Sequence, residues 1–312
     1  MKEKVLIIGG AGYIGSVLAP FLLQEGYEVT VLDIFIFGQT TLLDLCINPS
    51  FKVIRGDCRE EDTLLKAIEG MDYIIPLAAI VGHPLCDADR IAARTTNLGS
   101  IETLIKLRKP EQKIIFACTN SGYGIGEKDE YCTEDSPLRP ISLYGRTKVE
   151  AEKIVLEAGN SLSFRFATVF GASPRMRLDL MVNNFVFRAI TDKTVTVFEG
   201  HFRRNYIHVR DAVGAIIYAI KNFERMKGQP YNCGLSSANL TKTQLCETIK
   251  RHIPDFVYVE APVGEDPDKR DYNVSNERLE TTGWKPQYSL DDGIEELKKV
   301  FEIIRYFDFS MR

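Results

Sequence analysis

Along the first third of the chain, short and uniformly apolar runs alternate with longer stretches in which apolar residues recur every three or four positions. Residues 5–8, 28–32, 51–54, 73–76 and 113–117 read as strands, and 13–25, 61–69 and 88–107 as helices. The strand runs lack the polar alternation of a sheet with one wet face, which predicts parallel strands buried on both sides. Strands separated by helices predict βαβ units and a doubly wound α/β sheet. Further on the rhythm loosens. A charged, proline-bearing loop covers 124–140, a helix is predicted at 143–157 and a sixth strand at 162–166. After Gly171, short segments punctuated by Pro174, Pro230, Pro254, Pro262, Pro267 and Pro286 predict a smaller lobe on the carboxyl edge of the sheet, closed by an amphipathic helix at 290–307. The expected division is 1–170 for the sheet domain, with contributions from about 205–235, and 171–312 mainly for the lobe.

Composition narrows the classes. The 312 residues are 45% hydrophobic and 26% charged, with a net charge of -4. That is ordinary globular material, and no basic surplus exists for a nucleic-acid partner. No apolar run approaches the roughly 18–20 residues of a membrane span, so no membrane partner is expected. Seven cysteines, an odd number without a CxxC spacing, favour reduced thiols in the cytoplasm over disulfides or a metal site.

The loop Gly9-Gly10-Ala11-Gly12-Tyr13-Ile14-Gly15 follows the first strand and opens the first helix. Glycines at 9, 12 and 15 let the backbone turn tightly and come close to a pyrophosphate, which then sits on the helix N-terminus. Asp33 closes the second strand, where a carboxylate accepts bonds from ribose hydroxyls and repels a 2′-phosphate. No Arg or Lys follows Asp33 for several positions, so the expected cofactor is NAD rather than NADP. Asp57 and Cys58, after the third strand, fit either an adenine contact or the cap of the next helix.

Tyr144 and Lys148 lie four residues apart on the helix at 143–157, hence on one face. The ammonium can lower the phenol's pKa and make Tyr144 a base. The fifth strand runs into Thr119-Asn120-Ser121, at the strand end where ligands bind in this architecture. Thr119 is the candidate to bond the substrate oxygen that Tyr144 deprotonates.

Together these residues resemble the extended short-chain dehydrogenase/reductase family, Rossmann-type enzymes acting on nucleotide sugars, and the resemblance covers essentially the whole chain. It implies that Leu77, Ala78 and Ala79 lie beside the nicotinamide and that Asn97 is the family's structural asparagine at the cofactor. Arg204 in Arg204-Asn205-Tyr206-Ile207-His208-Val209 would hold the nucleotide diphosphate. The resemblance also implies that Arg270 is a second diphosphate arginine and that Asn183 or Asn184 contacts the nucleotide. Helices 88–107 and 143–157 resemble the family's dimer-forming pair, which implies a homodimer. Segments 119–129, 173–180, 201–211 and 264–272 are similar to the branch that oxidises C4 of GDP-D-glycero-α-D-manno-heptose in capsular polysaccharide synthesis. A GDP-sugar is therefore the expected partner.

One departure sharpens this reading. The family's 4,6-dehydratases carry Thr-Asp-Glu where this chain has Thr119-Asn120-Ser121. An amide and an alcohol cannot supply that acid pair, so no dehydration is expected. Ser121 also stands where the family's 3,5-epimerases place a cysteine. C4 oxidation remains, ending either in a released ketone, with the cofactor held tightly and in part as NADH, or in 4-epimerisation. A non-catalytic NAD-sensing protein of the same fold is a third reading, against which Tyr144 and Lys148 both count.

Overall fold

The computed structural model describes residues 2–127, 130–264 and 270–304. Seven parallel strands form the main sheet: β1 (Lys4–Ile8), β2 (Glu28–Asp33), β3 (Phe51–Arg55), β4 (Tyr73–Pro76), β5 (Lys113–Thr119), β7 (Ser161–Phe166) and β11 (Pro230–Cys233). Their order is β11-β7-β5-β4-β1-β2-β3, so the chain reverses its winding direction between β1 and β4. That crevice is where a doubly wound sheet binds ligands.

The uniform apolarity of the strands has a simple cause. Successive side chains point to opposite faces, and both faces are covered. Val5 and Ile7 join the core under α1 (Gly15–Gln24) and α8 (Val209–Lys221), whereas Leu6 and Ile8 join the core under α2 (Glu61–Ile68), α5 (Ser100–Leu107) and α6 (Leu143–Glu157). Each such fully buried aliphatic side chain contributes about 1.5–3 kcal/mol.

Two predicted helices differ in detail. The stretch expected as one helix at 88–107 opens with α3 (His83–Ala88), continues as α4 (Arg90–Arg94), widens into a π turn at Thr95–Gly99 and resumes as α5. Asp89 caps α4 through the amide of Ala92, which explains the break. The closing helix, α12, is Leu290–Ile303, and the expected residues 305–307 lie outside the described residues.

The smaller lobe has its own core. α7 (Met181–Thr191), α10 (Lys242–His252) and α12 pack around Phe170, Tyr206, Phe256 and Phe301. Small sheets frame it. β8 (Thr168–Phe170) pairs with β10 (Arg203–His208) and β10 with β12 (Asn239–Thr241). β9 (Thr194–Val197) pairs with β13 (Val257–Glu260), and β6 (Tyr131–Cys132) with β14 (Asn273–Val274). Short helices α9 (Phe223–Met226) and α11 (Glu277–Thr281) complete the elements used below.

Candidate active site

At the tip of β1, Gly9 has φ +84°, and a Cβ there would lie 2.5 Å from the Ala78 nitrogen. At Gly15 a Cβ would meet the Gly10 Cα at 2.5 Å. These two glycines are needed by the protein's own packing. Gly12 differs: its nearest neighbour is the Gly9 carbonyl at 3.3 Å, so space stays open beside it. α1 begins at Gly15, and the N-cap residue Ile14 supplies no side-chain cap. Among the described residues, the amides of Tyr13 and Ile14 donate to no protein acceptor. An uncapped helix start beside an open glycine suits a pyrophosphate. Asp33 is buried and accepts from the amides of Ala11 at 2.9 Å and Phe35 at 2.8 Å, so it braces the loop from below.

Leu77 and Ala78 continue β4, both donating their amides to the Ile8 carbonyl, Ala78 lies against Gly9, and Ala79 follows in the chain. The next residue, Ile80, is clamped by buried Asn97, which accepts from the Ile80 amide at 2.8 Å and donates to its carbonyl at 2.9 Å. The Asn97 amide also reaches the Thr147 hydroxyl at 3.4 Å, tying the π turn to α6. Asp57 does not cap the next helix. Glu60 occupies the N-cap position of α2 without a side-chain cap bond, and the Asp57 carboxylate is held by the Arg59 guanidinium and backbone amide. That bond keeps Asp57 below the usual carboxylate range. Cys58 is buried, and burial pushes its thiol up to about 11.

The strand-end turn is tightly organised. β5 extends two residues beyond the predicted end and finishes at Thr119, which caps the 3-10 turn Asn120–Tyr123. Thr119 donates to the Ser121 hydroxyl at 3.0 Å and accepts from the Ser121 amide at 3.1 Å. Asn120 is 1% exposed, and neither end of its side-chain amide has a hydrogen-bond partner. Such an orphan in a native interior calls for an explanation.

α6 carries Tyr144 and Lys148, with Ser142 capping its start through the Gly145 amide. Lys148 is 3% exposed, and its ammonium lies 4.2 Å over the Phe116 ring. Burial pushes the amine down to about 8, opposed by Cys118 and Glu152. Burial also pushes the Tyr144 phenol up to about 12. The cations that pull it back are Arg177 and Arg270. An amine with a pKa of about 8 still carries its proton at neutral pH.

Arg270 reaches the site by a route invisible along the chain. β14 pairs with β6, and Asp271 anchors both the Gly126 amide and the Arg203 amide, which sets the Arg270 guanidinium on the Ser121 hydroxyl. Expected at a diphosphate, it lies at the strand-end turn. Arg204 sits on β10 with 1% exposure, its guanidinium 5.9 Å from the Tyr272 ring centre. The charges of both arginines act on the buried Tyr206 phenol, so the two converge on one region of the lobe.

Two expected ligand contacts are occupied by the protein itself. Tyr13 donates its hydroxyl to the Gly171 carbonyl at 2.7 Å. Asn183 is fully buried, accepts from the Gly171 amide at 3.0 Å and donates to the Arg177 carbonyl at 3.0 Å and to the Tyr13 hydroxyl at 3.3 Å. These side chains staple the glycine loop to the lobe. Arg177 is a further cation close to Tyr144. It pairs with Asp179, and its charge is felt at both Tyr13 and Tyr144.

A buried bracket lies behind these groups. Arg165 on β7 pairs with Glu152 of α6 at 2.8 Å. It also donates to the Tyr123 hydroxyl at 3.1 Å and to the Glu134 carbonyl at 2.9 Å. Glu152 lies one turn beyond Lys148, and Tyr123 ends the turn that begins at Asn120. One guanidinium therefore ties both halves of the site together. The legible signals were a lone arginine inside the apolar strand 161–166 and a glutamate four residues after Lys148.

A glycine loop open to a pyrophosphate, an acid at the end of β2 and a tyrosine–lysine pair facing the tip of β5 define a dinucleotide-dependent enzyme of the Rossmann class. Residues 5–234 match the NAD dependent epimerase/dehydratase family, and the chain belongs to that family. UDP-glucose 4-epimerase of Lactobacillus helveticus is 30% identical, with 93% of this chain and 94% of that one aligned. UDP-glucuronic acid decarboxylase 1 of Arabidopsis thaliana is 27% identical over 96% of this chain and 70% of its own length. Among solved structures, UDP-glucuronic acid 4-epimerase from Bacillus cereus, in complex with UDP-glucuronic acid and NAD, superposes with a TM-score of 0.85 at 25% identity, covering 96% and 99% of the two chains. The dTDP-glucose 4,6-dehydratase from Bacillus anthracis, in complex with NAD, gives 0.83 at 24% identity over 97% of each chain and agrees in fold. NAD, expected from the loop and Asp33, is thus the cofactor of this family.

Proposed function

We propose that this chain oxidises the C4 hydroxyl of a nucleotide sugar, with GDP-D-glycero-α-D-manno-heptose as the substrate and its 4-keto form as the product. The observation that carries the reaction type is the site's acid–base inventory. Tyr144 and Lys148 are carried by α6, which packs against β5 and the turn that follows it, while Thr119-Asn120-Ser121 offers hydroxyls and an amide and no carboxylic acid. That set can take a proton from an alcohol, yet it cannot expel water from a neighbouring carbon. The choice of GDP and heptose is supported by segment similarity.

Tyr144 receives the C4 hydroxyl proton, Thr119 bonds the same oxygen, and Lys148, while charged, steadies the phenolate. NAD, when bound, supplies the hydride acceptor for the C4 hydrogen. Acting as a base requires the phenolate, so turnover should climb with pH until Lys148 loses its proton. Arg204 is assigned to the diphosphate and Arg270, on Ser121, to the sugar-proximal end. Gly12, Tyr13 and Ile14 offer backbone, rather than side-chain, contacts to the cofactor. A homodimer through the helical pair α5 and α6, and a cytoplasmic location consistent with seven free cysteines, complete the reading.

A second reading, 4-epimerisation through transient C4 oxidation, is supported by the similarity to UDP-glucose 4-epimerase. Incubation with GDP-heptose separates the two. A 4-keto sugar with NADH accumulating supports the dehydrogenase. A C4 epimer without net NADH supports the epimerase, and no change in sugar or cofactor refutes both.

A further inference from the structure

Three consecutive amides after β8 are satisfied by side chains. Gly171 donates to the Asn183 side-chain oxygen at 3.0 Å, Ala172 to the Glu296 carboxylate at 2.8 Å and Ser173 to the Met176 sulfur at 3.3 Å. The same tripeptide grips Tyr13 twice. The Gly171 carbonyl accepts from the Tyr13 hydroxyl at 2.7 Å, and the Ser173 hydroxyl donates to the Tyr13 carbonyl at 2.7 Å. Residues 171–173 are thus held by the lobe on one side and hold the glycine loop on the other.

Of the three side chains that take these amides, only Glu296 is charged, and charge-assisted hydrogen bonds are the strong ones. Glu296 belongs to α12, the closing helix. Its carboxylate also accepts from His208 Nε2 at 2.8 Å and lies 3.5 Å from the Arg210 guanidinium. His208 is buried, and its Nδ1 accepts from the Arg210 amide at 3.3 Å, which puts the ring proton on Nε2, aimed at Glu296. Phe170 and Tyr288 fix the ring from its flanks. No slack remains around the junction. Gly171 has φ +109°, and a Cβ on it would lie 2.4 Å from His208 Nε2. Packing this close transmits a displacement of Glu296 to the tripeptide and on to Tyr13.

We infer that Glu296 is a positioning residue for NAD. From the closing helix it fixes residues 171–173, which fix Tyr13, whose backbone amide is assigned to the pyrophosphate. How firmly the cofactor is held is therefore set in part by a helix at the other end of the chain. The inference rests on that backbone assignment and on no particular sugar.

The test times the exchange of bound NAD in the holoenzyme for labelled NAD. Glu296→Ala should speed exchange about tenfold, the scale of one charge-assisted hydrogen bond expressed in the off-rate. Glu296→Gln keeps an oxygen that accepts both N–H groups and should return the rate to within about threefold of the wild type. Glu295→Ala is the control on the same helix. Its carboxylate bonds His252 and Lys298 instead, so exchange should match the wild type. The double variant Tyr13→Phe with Ser173→Ala deletes both grips on Tyr13 and should release NAD at least as fast as Glu296→Ala. Adding Glu296→Ala to it should change the rate by less than about twofold, because the link is already cut. If Glu296→Ala does not fold, Glu296→Asp draws the carboxylate back by one methylene, keeps its charge and should speed exchange by at least about threefold. A wild-type rate in the folded Glu296 variant, an equal effect in Glu295→Ala, or a full further effect in the double variant overturns the inference and leaves the backbone assignment standing. A double variant that exchanges at the wild-type rate removes that assignment and the inference with it.

Discussion

Replacing Arg165 by Met removes the guanidinium that brackets the site and leaves its partner stranded. Glu152 has 3% of its side chain exposed and accepts from the Arg165 guanidinium at 2.8 Å and from the Ser163 hydroxyl at 2.6 Å. After the substitution only the Ser163 bond supports a carboxylate sealed from water. Breaking a buried ion pair by deleting one member typically costs about 3–5 kcal/mol. At about 2–4 °C per kcal/mol for a domain of this size class, Tm should fall by roughly 6–20 °C. The double substitution Glu152→Met with Arg165→Met removes the uncompensated charge and should recover most of that loss, since a buried pair exchanged for packed apolar groups is often neutral. The assay is thermal unfolding at pH 7 with the NAD concentration held fixed, because bound cofactor raises Tm. Turnover in the folded double variant should still fall by at least about tenfold. The Tyr123 turn and α6 have lost their common anchor, and small misplacements of reacting groups are costly. An Arg165→Met protein within about 1 kcal/mol of the wild type, or a double variant as unstable as the single one, would refute the bracket.

Four further outcomes follow from the site. Tyr144→Phe should lower kcat at least about a hundredfold while bound NAD, read by absorbance after denaturation, stays unchanged; undiminished turnover removes Tyr144 as the base. Lys148 has its amine lowered to about 8, so kcat should decline on the alkaline side near that pH, and Lys148→Met should abolish this limb. The same shift has a stability sign: above about pH 8 the folded state has released a proton that an unfolded lysine keeps until near pH 10.4, so this group adds stability as pH rises through that window, testable by denaturant titration. Asp33→Asn should weaken NAD about 10- to 100-fold and narrow the preference over NADP, checked by calorimetry with both cofactors. Gly15→Ala should cost about 1–3 kcal/mol and impair NAD binding, because its Cβ would lie 2.5 Å from Gly10 backbone; a normal Tm with full NAD content counts against that packing.

Much of the sheet domain could be read along the chain because its signals are local. Val5–Ile8 is apolar on both faces and leads straight into glycines, so strand, loop and helix follow from neighbouring residues. The helix predicted at 143–157 was equally plain and forms with those bounds, with Ser142 as its cap. Boundaries were less secure where a tertiary partner decides them. β5 runs on to Thr119 because β7 offers it hydrogen-bonding partners as far as Phe166, and the π turn at Thr95–Gly99 places Asn97 where it can clamp Ile80.

The candidate Tyr144–Lys148 pair, the glycine loop and Asp33 were legible from the chain, because a helix repeats every 3.6 residues and a phosphate cradle needs glycines at set intervals. The roles of the arginines were not. Arg270 lies 149 residues from Ser121 in the chain and touches it only because β14 pairs with β6. The engagement of Tyr13 and Asn183 with each other, 170 residues apart, likewise depends on where the lobe settles on the glycine loop. Local pattern thus specified the elements and the chemistry they carry, since backbone geometry turns short spacings into shared faces. The charges acting on Tyr144, the bracket at Arg165 and the orphaned amide of Asn120 belong to the packed molecule, because burial and long-range contact are properties of assembled elements and of no single stretch of chain.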